Sequence, residues 1–224
     1  MKKAISFYQS SVGKKIVMSL AGLFLCSFLV IHLIGNLALF KNDGGESFNH
    51  YSEFMSTNPV IKTTEILLFG GFVIHIFIGT VLWFRNRAAR PAKYSAYKLS
   101  DNVALPSRIV MLSGSIVLLF LVVHLKTFFY PSRILGVPDT MYSLVIGAFS
   151  NPWYDLFYIV SLVLLGYHLK HAFQSAFQTL GLRNGKYIIL LDAIAVVFWF
   201  LIPLAFAVMP VYFYVVYPSL SHIM

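Results

Sequence analysis

Seven histidines mark the 224-residue chain, and His32, His75, His124 and His168 each interrupt a different apolar run. Leu29-Val30-Ile31-His32-Leu33 returns almost unchanged as Leu121-Val122-Val123-His124-Leu125. An imidazole in hydrocarbon can be a hydrogen-bonded packing group, a proton relay or a metal ligand, and its burial is costly enough to call for one of these. One such histidine is commonly explained by the first two roles. Four at matching places need a common explanation. Two neutral imidazoles facing each other would fill both axial positions of a haem iron, giving a low-spin centre that passes electrons and leaves no open position for oxygen. Two-histidine zinc sites are the metal alternative, but the runs offer no nearby carboxylate or thiol to complete a tetrahedron. His171, one turn after His168, is the rival ligand in its run. It lies nearer the edge, where a haem propionate or water would meet it. His50 and His222 fall outside the runs, at positions expected to be solvated.

The elements that position these histidines follow from composition. The chain is 58% hydrophobic and only 11% charged, with a mean hydropathy of +0.78. That is too apolar for a soluble domain of this length. The apolar residues gather in runs of about 20 or more, the length that crosses a bilayer as a helix. Spans are expected over about 16–40, 59–84, 106–130, 152–180 and 187–217, making one all-α membrane domain over residues 1–224 with four spans forming the histidine-bearing bundle. Pro59, Pro106 and Pro152 open their helices at the position where proline is tolerated. Lys41 to Asn58 reads as a polar connection with a turn at Asp43-Gly44-Gly45-Glu46. The connection holding Pro138 and Asp139 contains a short surface helix near 141–149. Pro203 and Pro210 are expected to kink the fifth span, and Asp192 to serve near its start as a cap or, second to that, as a proton group.

The formal charge of +9 has a topological explanation before a nucleic-acid one. With the N-terminus, the basic 85–105 loop and the 181–186 turn on one side, that side holds 13 of the 17 Lys and Arg residues. The positive-inside rule makes it cytoplasmic, with the C-terminus outside. The basic loop also suits anionic lipid head groups. Met1-Lys2-Lys3 precedes an apolar run too long for a signal-peptide core, so the chain is read as uncleaved.

Depth sorts the histidines. His32 lies 17 residues after Lys15, His124 lies 18 after Pro106, and His75 and His168 lie 16 after Pro59 and Pro152. Each is then roughly 24–27 Å along its helix, in the exit half. The first and third spans run outward and the second and fourth inward. His32 and His124 therefore share an outer level, and His75 and His168 share an inner one. Gly35, Gly71, Gly79 and Gly166, all within four residues of a histidine, would suit a flat macrocycle close to the backbone, although glycine is also common at ordinary membrane helix contacts. The single cysteine, Cys26, is read as a packing residue, and the absence of Cys-x-x-Cys-His excludes ordinary covalent haem attachment.

Ser19-Leu20-Ala21-Gly22-Leu23-Phe24 followed by His32, with histidines then spaced 43, 49 and 44 residues apart over four of five spans, resembles the dihaem cytochrome b subunit of succinate dehydrogenases and fumarate reductases. The resemblance runs over essentially the whole chain and rests on the ensemble. It implies two non-covalent b haems, an inner one on His75 and His168 and an outer one on His32 and His124, with Ser19 near an inner propionate. It also implies a bacterial cytoplasmic membrane and partner flavoprotein and iron–sulfur subunits on the cytoplasmic face. Succinate–fumarate chemistry would occur in the flavoprotein. This non-flavin subunit would carry electrons between the iron–sulfur subunit and a quinone, menaquinone in relatives of this kind. Each electron crossing the membrane would exchange about 2.3 kcal/mol per 100 mV with the field. The family's carboxylate near the outer haem falls closest to Glu53, with Glu65 as the alternative, and desolvation there would suit it to accept quinol protons. Two other readings stand beside this one: a cytochrome b of another quinone-linked complex, of hydrogenase or formate dehydrogenase type, and a proton-coupled transporter with histidine relays.

Overall fold

The computed structural model describes residues 10–89, 109–136 and 140–217. Among them the backbone is helical almost throughout, without a strand. Five stretches are long and apolar enough to cross a membrane: Ser11–Phe40, Pro59–Ala88, Val110–Leu135, Pro152–Thr179 and Ile188–Val216. The expected all-α, five-span architecture is the one observed. Pro106, the loop cations Arg90, Lys93, Lys98 and Arg108, Pro138, Asp139 and His222 lie outside the described residues.

Polar side chains start the helices. The first span is α1 (Ser11–Asn36) with a tighter last turn, Leu37–Phe40. It begins five residues before the apolar run because the Ser10 hydroxyl accepts from the Gly13 N–H at 2.9 Å, satisfying one of the four unpaired donors of the first turn. Asn58 caps α3 (Pro59–Ala88) and Asn151 caps α6 (Pro152–Thr179), each with proline in the first position as expected. The third span, α4 (Val110–His124), continues through two wide π-type turns, Leu125–Phe129 and Pro131–Leu135, until Gly136 at φ 59° ends it. It runs past Pro131 because bonds reaching one residue further absorb the proline's missing N–H. The fifth span divides in the same way into α7 (Ile188–Val196), a wide turn at Val197–Leu201, α8 (Ile202–Val211) and a second wide turn at Tyr212–Val216. Pro203 and Pro210 thus each adjoin a wide turn. Asp192 pairs with Arg183 at 3.2 Å instead of capping its helix.

Two short helices depart from the expectations. The segment read as a polar connection holds the Asp43–Glu46 turn and then α2 (Glu46–Thr57). The Asp43 carboxylate accepts from the Gly45 and Ser47 N–H groups at 3.0 and 3.1 Å. The Ser47 side chain holds that carboxyl below the usual carboxylate range, so this cap is fully present above the ordinary pKa and is lost as pH falls through the lowered one. α5 (Met141–Phe149) occupies the expected 141–149 region but is not a surface helix. Tyr142, Val145 and Phe149, on one face at i, i+3 and i+7, are buried.

These helices close one end of the bundle, the far end, opposite the near end where α1 begins. The cluster of Leu39, Phe48, Phe128, Tyr142, Val145, Phe149, Tyr158, Met209 and Phe213 joins four spans to α2 and α5 there. The α2–α5 contact depends on Gly45, at φ 88° with the Tyr142 ring against the place a Cβ would occupy, and on the Asn49 side chain accepting from the Tyr142 N–H at 2.9 Å. Gly45→Ala combines left-handed strain with a ring clash, so it is expected to destabilise the purified protein by roughly 1–3 kcal/mol, measured by thermal or denaturant unfolding in detergent.

The first two spans pair in one antiparallel register. Phe24 and Leu25 of α1 pack over Gly71 of α3, and Met18 over Gly79. Small residues allow such approaches where packing, not the hydrophobic effect, joins helices. The Lys170 ammonium of α6 lies 4.5 Å from the Trp199 ring centre, a cation–π contact to the fifth span.

Candidate functional site

The four histidines of the spans meet in two pairs. The His32 and His124 ring centres are 5.8 Å apart with planes at 83°. Those of His75 and His168 are 6.2 Å apart at 70°. Two imidazoles on opposite sides of one metal, at about 2.0–2.1 Å from nitrogen to metal, would have centres roughly 6–6.5 Å apart. The pairs are those that helix depth predicts, one towards the far end and one towards the near end. His171 sits half-buried one turn beyond His168.

Two glycines set the second pair. A Cβ on Gly22 of α1 would come within 3.4 Å of His75 Cε1 and 3.6 Å of its Nδ1, and one on Gly114 of α4 within 3.2 and 3.5 Å of the same atoms of His168. The Nδ1 edge of each ring is therefore turned against a neighbouring backbone. Gly22 precedes His32 by ten residues, and Gly114 precedes His124 by ten. Each of these two helices thus carries a glycine that admits the near-end histidine of its neighbour and a histidine of the far-end pair. Ten residues of helix separate the two levels by about 15 Å. The glycines chosen by sequence proximity do not do this. Gly35 meets the Tyr51 ring, Gly71 meets Phe24, Gly79 meets Met18, and Gly166 meets the Trp199 carbonyl. Neighbours along one helix point to different partners, which is why proximity misled.

The surroundings of the pairs differ. His32 stacks on Phe28 with centres 5.2 Å apart and lies 5.6 Å from Phe206. His124 has Phe120 at 5.7 Å and Phe128 at 5.1 Å. His124 Nδ1 lies 2.7 Å from the Tyr158 hydroxyl oxygen, to which the Tyr154 hydroxyl donates at 3.3 Å. Among the described residues His75 Nδ1 and His168 Nδ1 are buried and have no side-chain hydrogen-bond partner. With Nδ1 engaged or turned to a backbone, Nε2 is the nitrogen left for a ligand in His75, His124 and His168.

The donor set favours a metal already held in a macrocycle. Among the described residues no group of three or more His, Cys, Asp and Glu side chains could hold a metal ion. A pair of histidines supplies two donors where tetrahedral zinc needs four, whereas haem iron needs only two axial ones. Two facing imidazoles with aromatic or glycine-lined surroundings fit that group.

Ser19 is buried on α1, one turn from Gly22 towards the near end. Cys26 is buried in the same helix, as a packing residue would be. Glu53 is exposed on α2 and lines an open cleft with Asn49, Ser52, Ser132, Arg133 and Thr140. Glu65 pairs with Arg133 at 3.5 Å, and Arg133 also donates to the Met55 carbonyl at 3.2 Å. The α1–α3 register places Glu65 level with His32, so both acidic candidates gather around Arg133 at the far end. Besides Gly22 and Gly114, three residues escaped sequence reasoning. Tyr154 and Tyr158 share one face of α6 at i, i+4, a signal indistinguishable from ordinary aromatic packing. Asp155 is buried, with neither carboxylate oxygen hydrogen-bonded among the described residues. Its place in the first turn of a span reads as favourable helix-dipole placement.

No family model, curated protein or solved structure matches the chain.

Proposed function

We propose that this chain is the membrane-anchor cytochrome b subunit of a succinate dehydrogenase or fumarate reductase, passing electrons through two b haems between an iron–sulfur subunit and a membrane quinone. The observation that carries the reading is the pairing of four histidines from four helices at two levels, with ring centres 5.8 and 6.2 Å apart. When bound, each bis-histidine haem supplies an iron that cycles by one electron without an open coordination site. The chain's own task is to hold each imidazole pair on one axis, exclude water and set the potential through hydrogen bonding and burial.

In this reading the near end, with Lys14, Lys15, Arg85, Arg87, Arg183 and Lys186, faces the cytoplasm of a bacterial cell and receives the flavoprotein and iron–sulfur subunits. Its cations support that orientation. The quinone, menaquinone by resemblance, is handled at the far end. The cleft lined by Glu53 and Arg133 offers a proton acceptor beside a cation. Ser19 and His171 lie where propionates of the inner haem would be met.

The purified chain is expected to give a b-type reduced-minus-oxidised spectrum and to contain two haems per polypeptide by pyridine haemochrome assay. A colourless protein, expressed with adequate haem supply, would sink the reading and favour a histidine-relay transporter. A coloured protein that co-purifies with hydrogenase or formate dehydrogenase subunits would instead point to another quinone-linked complex.

A further inference from the structure

The hydrogen bond between His124 Nδ1 and Tyr158 sets one of the four candidate ligands apart. It measures 2.7 Å and joins two helices inside the far-end cluster, where Tyr158 is only 6% exposed. Among the described residues its counterparts His75 Nδ1 and His168 Nδ1 have no side-chain hydrogen-bond partner. Both Tyr158 and His124 are held from several sides. Phe120 lies 4.7 Å from the Tyr158 ring centre and 5.7 Å from that of His124, and Phe149 lies 5.1 Å from Tyr158.

Resting on the haem reading above, we propose that Tyr158 is a positioning residue that fixes the tautomer and rotation of His124 and lowers the reduction potential of the outer haem selectively. The chemistry follows from what each nitrogen can do. A neutral imidazole that gives its Nε2 lone pair to iron carries its hydrogen on Nδ1. His124 must then donate from Nδ1, and the Tyr158 oxygen accepts. An acceptor on the distal nitrogen makes the imidazole a stronger donor to the metal and restrains its orientation. Stronger donation stabilises the ferric state over the ferrous, so the potential falls. The Tyr158 oxygen also accepts from the Tyr154 hydroxyl at 3.3 Å. Tyr154 and Tyr158 are thus linked, and Tyr154 acts on His124 only through the Tyr158 hydroxyl. Neither meets the His75–His168 pair, which lies about ten residues away along the helices.

The test is an optical redox titration of the membrane-extracted protein, with low-temperature EPR of each haem. Tyr158→Phe keeps the ring and removes the acceptor. It is expected to retain both haems and to shift the outer haem's ferric-to-ferrous equilibrium about tenfold towards ferrous, 59 mV upward for one electron, with the inner haem unmoved. Tyr154→Phe is expected to move the outer potential by a smaller amount, with the inner haem unmoved. Unchanged outer potential and EPR signature in Tyr158→Phe would overturn the proposal, as would equal shifts of both haems. If Tyr158→Phe does not accumulate, an unchanged outer potential in Tyr154→Phe overturns it. Wild-type protein without haem fails the underlying reading instead, and the two failures are distinguished by the unmutated control.

Discussion

If the chain holds the two proposed b haems, alanine at His124 is expected to remove one of the two haem signals and leave the other, and alanine at His32 to remove that same one. Alanine at His75 or at His168 is expected to remove the remaining signal. This result is expected because each iron would depend on one ring from each of two helices, His32 with His124 and His75 with His168. Loss of either ring leaves an iron with one axial ligand and a space where the second imidazole stood. Haem content should therefore fall from two per chain to about one in every single variant, not in graded steps. The two classes should be told apart by the position of the surviving band and by its midpoint potential. Doubles made within a pair should look like either single, whereas doubles made across pairs should be colourless, because the levels lie about 15 Å apart along the helices and do not share ligands. If His32→Ala and His75→Ala abolish one shared signal, the assignment of pairs to irons is wrong, however well the rings meet.

The second large effect lies away from the histidine pairs. Gly166→Ala is expected to destabilise the bundle by roughly 1–3 kcal/mol, the range for overpacking a well-filled interior. It should lower the thermal midpoint in detergent by several degrees. A Cβ at Gly166 would stand 2.6 Å from the Trp199 carbonyl oxygen and 3.9 Å from the Pro203 ring. Trp199 lies four residues before Pro203, so its carbonyl lacks the N–H that would ordinarily bond to it, and the wide turn at Val197–Leu201 turns the backbone there. The clash is with main chain, which cannot rotate away as a side chain can. The fifth span must move off α6, weakening the Lys170–Trp199 and Phe173–Phe198 contacts, the latter a stack with centres 5.2 Å apart. Gly70→Ala is the control, because a Cβ there meets nothing within 4 Å. Equal midpoints for the two variants would show that the approach at Gly166 is not tight.

Much of this was legible in the one-dimensional chain. Periodic runs of apolar residues bounded by Asn58-Pro59 and Asn151-Pro152 gave the second and fourth spans to within a few residues, because caps and proline act locally. The partnership of the histidines followed from counting residues to each helix entrance, since an α-helix converts count into depth at a constant rise. Helix α2 was missed because its residues are polar on average and its single buried member, Phe48, leaves no run to see. Tyr158, Asp155, Gly22 and Gly114 were passed over for another reason: their significance lies in what faces them from a different helix.

The sequence by itself therefore determined how many helices cross the membrane, which four carry an imidazole, and at which level each imidazole lies. Those are properties of one helix at a time, governed by hydrophobic length and a fixed rise per residue. Only the tertiary structure decided that Gly22 and Gly114 admit the near-end rings, that His124 alone among the four candidate ligands has a tyrosine on its second nitrogen, and that Glu65 and Glu53 gather around Arg133. Those depend on the rotation and register of helices against one another, which side-chain packing sets and no single helix encodes.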